Sequence, residues 1–205
     1  MEEVKTKKPL YFLLAFVLIW LAFYFALEFY TSKKISFISL DLPYENLIPQ
    51  IPFFFIIYLL AYPVALLPFI LFNEKKILKR ILTAYLLITL ISSVIYIFFP
   101  TEITRLPLNL ENFYDKLLFY FRKIDTNQNL FPSFHAGLVF LSTFICNLKY
   151  KKLGKILYLL SFIIVLSTLF IKQHYILDLI FGFLLASIIF RLVFKKTYKE
   201  NSSQN

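Results

Sequence analysis

The chain has 205 residues, of which 60% are hydrophobic and 20% aromatic, and a formal net charge of +10. So apolar a composition excludes a soluble domain with a dry core and a wet surface and reads as a polytopic membrane protein. The positive charge does not call for a nucleic-acid partner, because it collects at the ends of the apolar runs, where anionic lipid headgroups account for it.

In chain order, runs long enough to cross a hydrocarbon layer of roughly 30 Å fall at Leu10–Tyr30, Ile51–Phe72, Ile81–Phe99, Leu130–Leu148, Ile156–Ile171 and Tyr175–Phe194. The first exceeds a signal h-region and is followed by Tyr30-Thr31-Ser32-Lys33-Lys34 rather than a small-residue cleavage site, so it is expected to be a retained anchor. The expected fold is all-α, a bundle of six transmembrane helices forming one domain over residues 1–205, with a polar tail at Asn201–Asn205. Between the third and fourth spans, Leu110, Phe113, Tyr114, Leu117, Leu118 and Phe121 recur at helical spacing opposite Glu111, Asp115, Lys116 and Arg122. This segment is expected to be a helix lying in the interface, acting as a gate for lipid entry or as a packed lid.

Lys5, Lys7, Lys8, Lys75, Lys76, Lys79, Arg80, Lys149, Lys151, Lys152, Lys155, Arg191, Lys195, Lys196 and Lys199 fall at one set of span ends. By the positive-inside bias that side and both termini are cytoplasmic, with the plasma (inner) membrane as the expected location. Lys33, Lys34, Arg105, Lys116, Arg122, Lys123, Lys172 and most acidic residues fall on the other, extracytoplasmic side. The single cysteine, Cys146, cannot form an intrachain disulfide.

This span order brings four segment ends to the extracytoplasmic face, carrying Thr101 to Arg105, then Ser133 and His135, then Ser167 to Lys172, then His174 and Asp178. Ionisable groups at a membrane edge are costly and argue for a functional site. His174 and Asp178, four residues apart, share one helix face, where a carboxylate fixes the imidazole tautomer and sharpens its free nitrogen as a nucleophile. His135 has Val139 at that spacing, so a different role, acid or base, is expected. Pro132 and Ser133 suit a helix start, whose free N–H groups bind phosphate oxygens, and Arg105 and Lys172 would add charged donors. Gly137 and Gly182 would let helices approach closely.

Singly, each residue has a plainer reading: a headgroup partner for either histidine, an ion pair with Lys172 for Asp178, helix anchoring by snorkelling for Arg105 and Lys172. Two histidines at one leaflet also fit haem ligation, which leaves Ser133 and Asp178 unexplained. Transport would need a polar path, and the second and third spans offer little beyond Thr83, Thr89, Ser92 and Ser93. No His, Cys, Asp or Glu grouping has the usual metal-ligand count, so neither metal nor other cofactor is expected.

At these residues the chain resembles the type-2 phosphatidic acid phosphatase superfamily, which includes bacterial acid phosphatases and vanadium haloperoxidases. Pro132-Ser133-Phe134-His135 matches the second family signature, Pro-Ser-x-His, in full. Ser167, His174 and Asp178 match the third, with Thr168 in place of its arginine. The first, Lys followed by Arg-Pro, is represented by Arg105; Phe98 stands at the lysine's place and Leu106 precedes Pro107. The run Asn129 to His135 with Lys172-Gln173-His174 is similar to the branch of inositol phosphorylceramide synthases, in which the third-signature arginine is commonly absent and Lys172 would substitute.

The resemblance implies a six-helix bundle and metal-independent phosphoryl chemistry. His174 would attack phosphorus, Asp178 orient it, and His135 protonate the leaving oxygen and then activate water or an alcohol. Arg105, Ser133, Lys172 and backbone N–H groups would hold the non-bridging oxygens. The implied reaction is hydrolysis of a lipid phosphate, of phosphatidate, phosphatidylglycerophosphate or polyprenyl-phosphate type, through a phosphohistidine. One alternative is transfer of a phospho-headgroup to a lipid alcohol, and another is a non-catalytic lipid-binding or transport protein. The expected partners are the lipid phosphate and membrane lipids.

Overall fold

The computed structural model describes residues 9–34 and 36–202, with side chains from Leu10 to Phe194. Lys5, Lys7 and Lys8, the side chains of Lys195, Lys196 and Lys199 and the end of the polar tail lie outside the described residues. The order among the described residues is α1 (Pro9–Thr31), a short 3-10 turn at Glu45–Leu47, α2 (Phe54–Tyr58), α3 (Ala61–Leu71), α4 (Lys75–Phe98), α5 (Phe113–Arg122), α6 (Phe134–Lys149), α7 (Lys151–Phe170) and α8 (Ile176–Ser202). The protein is all-helical, its only bridges being Ile38 with Thr101 and Glu102 with Gln128 among the described residues.

Five stretches are long and apolar enough to cross a membrane: Leu10–Thr31, Phe54–Leu71, Lys75–Phe98, Lys151–Phe170 and Ile176–Phe194. The second is α2 and α3 together, broken at Leu59 and Leu60. Pro63 has no N–H for the carbonyl of Leu59, so the helix restarts with Pro63 in its first turn, where the missing donor does no harm. Pro68 likewise leaves the Val64 carbonyl without a helical partner, and Ser142 Oγ donates to it at 2.5 Å from α6.

The fourth expected span, Leu130–Leu148, is helical only from Phe134, because Pro132 and the Ser133 cap start α6 late. At 16 residues α6 is shorter than the five stretches long enough to cross a membrane and is not one of them. Its shortness is tolerable because it is the central helix, packed against α3, α4, α7 and α8 rather than facing lipid. Every residue from Ala136 to Thr143 is buried. A hydroxyl pair, Thr143 Oγ1 with Ser161 Oγ at 2.7 Å, ties it to α7; such bonds between membrane helices contribute about 0.6 kcal/mol on average. By contrast α1 has few fully buried residues and packs on α3 and α4 from one side, where Phe16 stacks on Phe69 and meets Tyr85 edge-on with centroids 5.0 Å apart.

Element ends gather in two layers. In one, Ile51 N–H donates to Phe170 O, Asn129 Nδ2 to Thr31 Oγ1, and Ser133 N–H to Asp178 O, so the ends of α1, α2, α4, α6, α7 and α8 that carry the polar clusters meet. The other holds the Lys149–Glu74 ion pair at 2.9 Å and the bond from Tyr150 Oη to Leu71 O. The patterned loop does form a helix, α5, capped by Asn112, whose side chain accepts from Tyr114 N–H. Leu118 of α5 is buried against Phe55, Tyr58 and Ile171, so α5 sits on α2 and the end of α7.

Candidate active site

Two helix starts form the floor of the site. At α6, Tyr96 Oη donates to Pro132 O at 2.8 Å, Ser133 N–H to Asp178 O at 2.9 Å, and Ser133 Oγ accepts Ala136 N–H at 3.2 Å as the N-cap. At α8, Asp178 Oδ2 accepts Tyr175 N–H at 2.8 Å. The chain enters α8 from a tight turn ending α7, in which Lys172 N–H bonds Leu169 O and Gln173 N–H bonds Thr168 O. Lys172 sits there at φ 51°, the left-handed position usually taken by glycine. α6 and α8 close on each other because Gly182 has no Cβ: one there would fall on the Ser133 carbonyl, and one at Gly137 would lie 2.6 Å from Ile88 Cδ1.

This packing brings His135, His174 and Asp178 into a line. His135 Nδ1 is 3.2 Å from His174 Nε2, and His174 Nδ1 is 3.4 Å from Asp178 Oδ2. Asp178 is wholly buried and His174 nearly so. Neither His174 Nδ1 nor Asp178 Oδ1 has a hydrogen-bond partner, so the pair is within ion-pairing distance but not closed. A loose pair that tightens on substrate is common in unliganded sites.

The cations are held differently. Arg105 donates to the carbonyls of Asp125 (2.8 Å) and Thr126 (2.6 Å) and to Gln173 Oε1 (2.9 Å). Arg122 donates to Leu106 O, Gln50 Oε1 and Ile171 O. Lys172 Nζ donates to Ile48 O at 2.6 Å and Glu45 O at 3.3 Å. Burial lowers the pKa of all three, that of Arg122 to about 10. Ser167 and Thr168 turn their hydroxyls back onto α7, at Ile164 O and Val165 O. Phe98, at the place of the missing lysine, is 83% exposed and points out of the bundle.

His135 and His174 border a cavity of about 200 Å³ that α1 also lines. Trp20, Phe23, Phe25, Leu27 and Phe134 are among its apolar lining, and Glu28, Asp125, Thr126, Gln128, Asn129 and Gln173 among its polar lining. Phe121 and Ile124, from the end of α5 and the loop beyond it, close its rim. A second cavity of about 270 Å³ touches His174 from the loop side and is lined by Ser39, Asp41, Glu45, Lys172 and Tyr175. Lys172 therefore faces that second space, apart from His135.

Three participants are absent from the sequence reading. Tyr58, wholly buried, places its hydroxyl 2.5 Å from His135 Nε2; a tyrosine inside an apolar run must find a partner for its hydroxyl, and that was the available signal. Asp125 accepts from Gln173 Nε2 and, at 3.3 Å, from Tyr24 Oη. Burial pushes its carboxyl up to about 6, against the pull of Arg105 and His174. Gln173 links Arg105 to Asp125 and lies within a cluster the sequence singles out, but nothing local announces that role. Among the described residues no group of three or more His, Cys, Asp or Glu is placed to hold a metal ion.

A family model described as the PAP2 superfamily matches residues 18–192, which include every member of the site. No curated protein and no solved structure matches the chain.

Proposed function

The chain belongs to the PAP2 superfamily and is a phosphatase-type membrane protein, and from that premise we propose that it hydrolyses the phosphate of a lipid, without a metal, through a phosphohistidine on His174. The observation that carries this reading is the line from Asp178 through His174 to His135, bordering a cavity that α1 lines with Trp20, Phe23 and Phe25. A lipid phosphate has the matching polarity, with the head at the imidazoles and the chains along Trp20, Phe23 and Phe25.

In the first step the His174 Nε2 lone pair forms the N–P bond, the P–O bond to the leaving group breaks, and His135 Nδ1 gives that oxygen its proton. In the second, water attacks phosphorus, the N–P bond breaks and His135 takes the water proton back. Asp178 holds His174 with Nδ1 toward its carboxylate. Non-bridging oxygens would be met by the N–H groups of the first turn of α6, Ser133, Arg105 and Lys172. Ser133 Oγ now caps α6 and both cations now bond carbonyl oxygens, so phosphate must compete for them. The active face is extracytoplasmic if the described basic residues at the opposite layer follow the positive-inside bias.

The second reading, transfer of a phospho-headgroup to a lipid alcohol, uses the same residues with an alcohol in place of water. The run Asn129 to His135 with Lys172-Gln173-His174, similar to the inositol phosphorylceramide synthase branch, favours it. The test is phosphate release by purified protein in EDTA from phosphatidate, phosphatidylglycerophosphate and polyprenyl phosphates, with His174→Ala and His135→Ala alongside. Release lost in both variants is expected. Transfer only when a lipid alcohol is added would select the second reading, and silence in both assays would leave a lipid-binding protein.

A further inference from the structure

A histidine that first gives and then takes back a proton at one ring nitrogen must keep its other nitrogen protonated throughout, or the ring would pass through an imidazolate. In His135 the exchanging nitrogen is Nδ1, which faces His174 Nε2 at 3.2 Å. The retained proton then belongs on Nε2 and needs an acceptor. The group 2.5 Å from Nε2 is the Tyr58 hydroxyl. We propose that Tyr58 is a positioning residue for the phosphoryl reaction: by accepting the Nε2–H of His135 it keeps Nδ1 as the nitrogen that exchanges its proton with the substrate.

The geometry around Tyr58 suits this task. Its side chain is wholly buried, and its ring is held between Phe55 and Phe121, with centroids at 5.9 and 5.3 Å, so the hydroxyl has one orientation. Its ring also lies 4.9 Å from that of His135. Having accepted from Nε2, the hydroxyl can point its own hydrogen at Tyr62 Oη, 3.4 Å away, and Tyr62 borders the cavity. The resulting chain runs from His135 through Tyr58 to Tyr62. Tyr58 stands at the last residue of α2, directly before the break that Pro63 imposes, so that break sets where this hydroxyl falls. Helix α5 contributes Phe121 and Leu118 to the same packing, which gives α5 a part in holding His135 in place.

The inference rests on the phosphatase reading for its consequence in turnover, but not for the tautomer itself. The first measurement is therefore made without substrate: nitrogen-15 NMR of histidine-labelled full-length protein in detergent. The chain has only two histidines, assigned with His174→Ala. In His174→Ala, where Nδ1 has no imidazole lone pair to donate to, neutral His135 is expected to carry its proton on Nε2, and adding Tyr58→Phe, which keeps the ring and its packing, is expected to lose that fixed tautomer. A proton fixed on Nδ1 in His174→Ala would overturn the proposal, and this holds even if the double variant fails to fold.

The second measurement compares two substrates. A general acid contributes roughly 10²–10⁴-fold to turnover, and the alkyl oxygen of a lipid phosphate needs that proton, whereas the nitrophenolate of p-nitrophenyl phosphate leaves without it. Tyr58→Phe is expected to lower kcat on the lipid by about tenfold or more while changing kcat on the aryl ester by about twofold or less, with KM little altered. Equal losses on both esters would mean a merely structural role. If wild type releases no phosphate from any ester while His135 shows the Nε2 proton, the phosphatase reading fails and the tautomer assignment stands.

Discussion

His135 projects from the first turn of α6 and His174 from the turn two residues ahead of α8, a helix closely packed on α6, whereas Arg105, Arg122 and Lys172 stand in or beside loops and each is already bonded to backbone carbonyls. The first arrangement cannot shift without moving the bundle; the second can be released by small loop movements. The difference follows from cost. A neutral imidazole is tolerable in a dry helix contact, while a cation at a membrane edge must be fully bonded when no phosphate is present. On the proposed reading the groups that would make bonds are placed by the packing of α6 on α8, and Arg105 and Lys172, which would meet the phosphate, are bonded to backbone oxygens without it.

The largest expected effects come from breaking the helical half. Asp178 serves it three times, with its carboxylate against His174 and accepting Tyr175 N–H at the start of α8, and with its carbonyl accepting Ser133 N–H. Asp178→Ala leaves the carbonyl and removes the orienting group, and kcat should fall on the order of 10³–10⁴-fold, the scale of losing an orienting carboxylate. A loss under tenfold would mean that His174 needs no orientation. Gly182→Ala tests the packing itself, since its Cβ meets the Ser133 carbonyl. Overpacking of this kind costs roughly 1–3 kcal/mol, so both the melting temperature in detergent and kcat should drop. An unchanged melting temperature would show that α6 and α8 are not locked at this crossing.

The cationic half should respond less and in another parameter. Arg105 uses a planar fork on two carbonyls and Gln173, a geometry an ammonium cannot copy, so Arg105→Lys should behave like Arg105→Ala, with KM raised by roughly tenfold. Rescue by lysine would make it a simple point charge. Lys172→Ala should change KM by about threefold or less and lower the melting temperature slightly, because its bonds go to Ile48 and Glu45 beside the second cavity. A larger rise in KM, with the melting temperature unchanged, would instead make Lys172 the phosphate ligand that replaces the missing arginine at Thr168.

Much of the helical half was legible in the sequence because its signals are local. Apolar runs mark helices, His174 and Asp178 are one turn apart, and Pro132 with Ser133 marks a helix start. The edges were less so. Hydropathy reads Leu130–Leu148 as one span, yet the segment before Phe134 is a loop buried by protein rather than lipid, and a burial scale cannot tell the two apart. The break at Leu59 was available in Pro63, whose missing donor only matters once the run is taken as helix. The cationic half was less legible because its bonds join residues far apart in the chain, such as Lys172 with Ile48 and Arg105 with Gln173. Charge and spacing name such residues without showing what they already hold. Tyr58 and Asp125 belong to the same class, since each acquires its role only when a distant segment closes on it.

Asp125 offers the smallest and most discriminating test of how the two halves meet. It borders the cavity with both histidines while Arg105 grips its backbone carbonyl rather than its carboxylate. Burial raises its pKa to about 6, so it is neutral below that pH and a carboxylate above it. A folded pKa above the usual value means that protonation is favoured in the folded state, so the stability this group contributes is present at low pH and lost as pH rises through about 6. The same change puts a negative charge beside an incoming phosphate. KM for a lipid phosphate should therefore rise as pH goes from about 5 to 7.5, by roughly two- to fivefold for one like charge in a partly dry cavity. Asp125→Asn should flatten that rise and leave the remainder to the titration of the phosphate itself. A slope unchanged in the variant would mean that the Gln173 and Tyr24 bonds already neutralise Asp125, and that the polar lining of the cavity is shaped for the phosphate by hydrogen bonds alone.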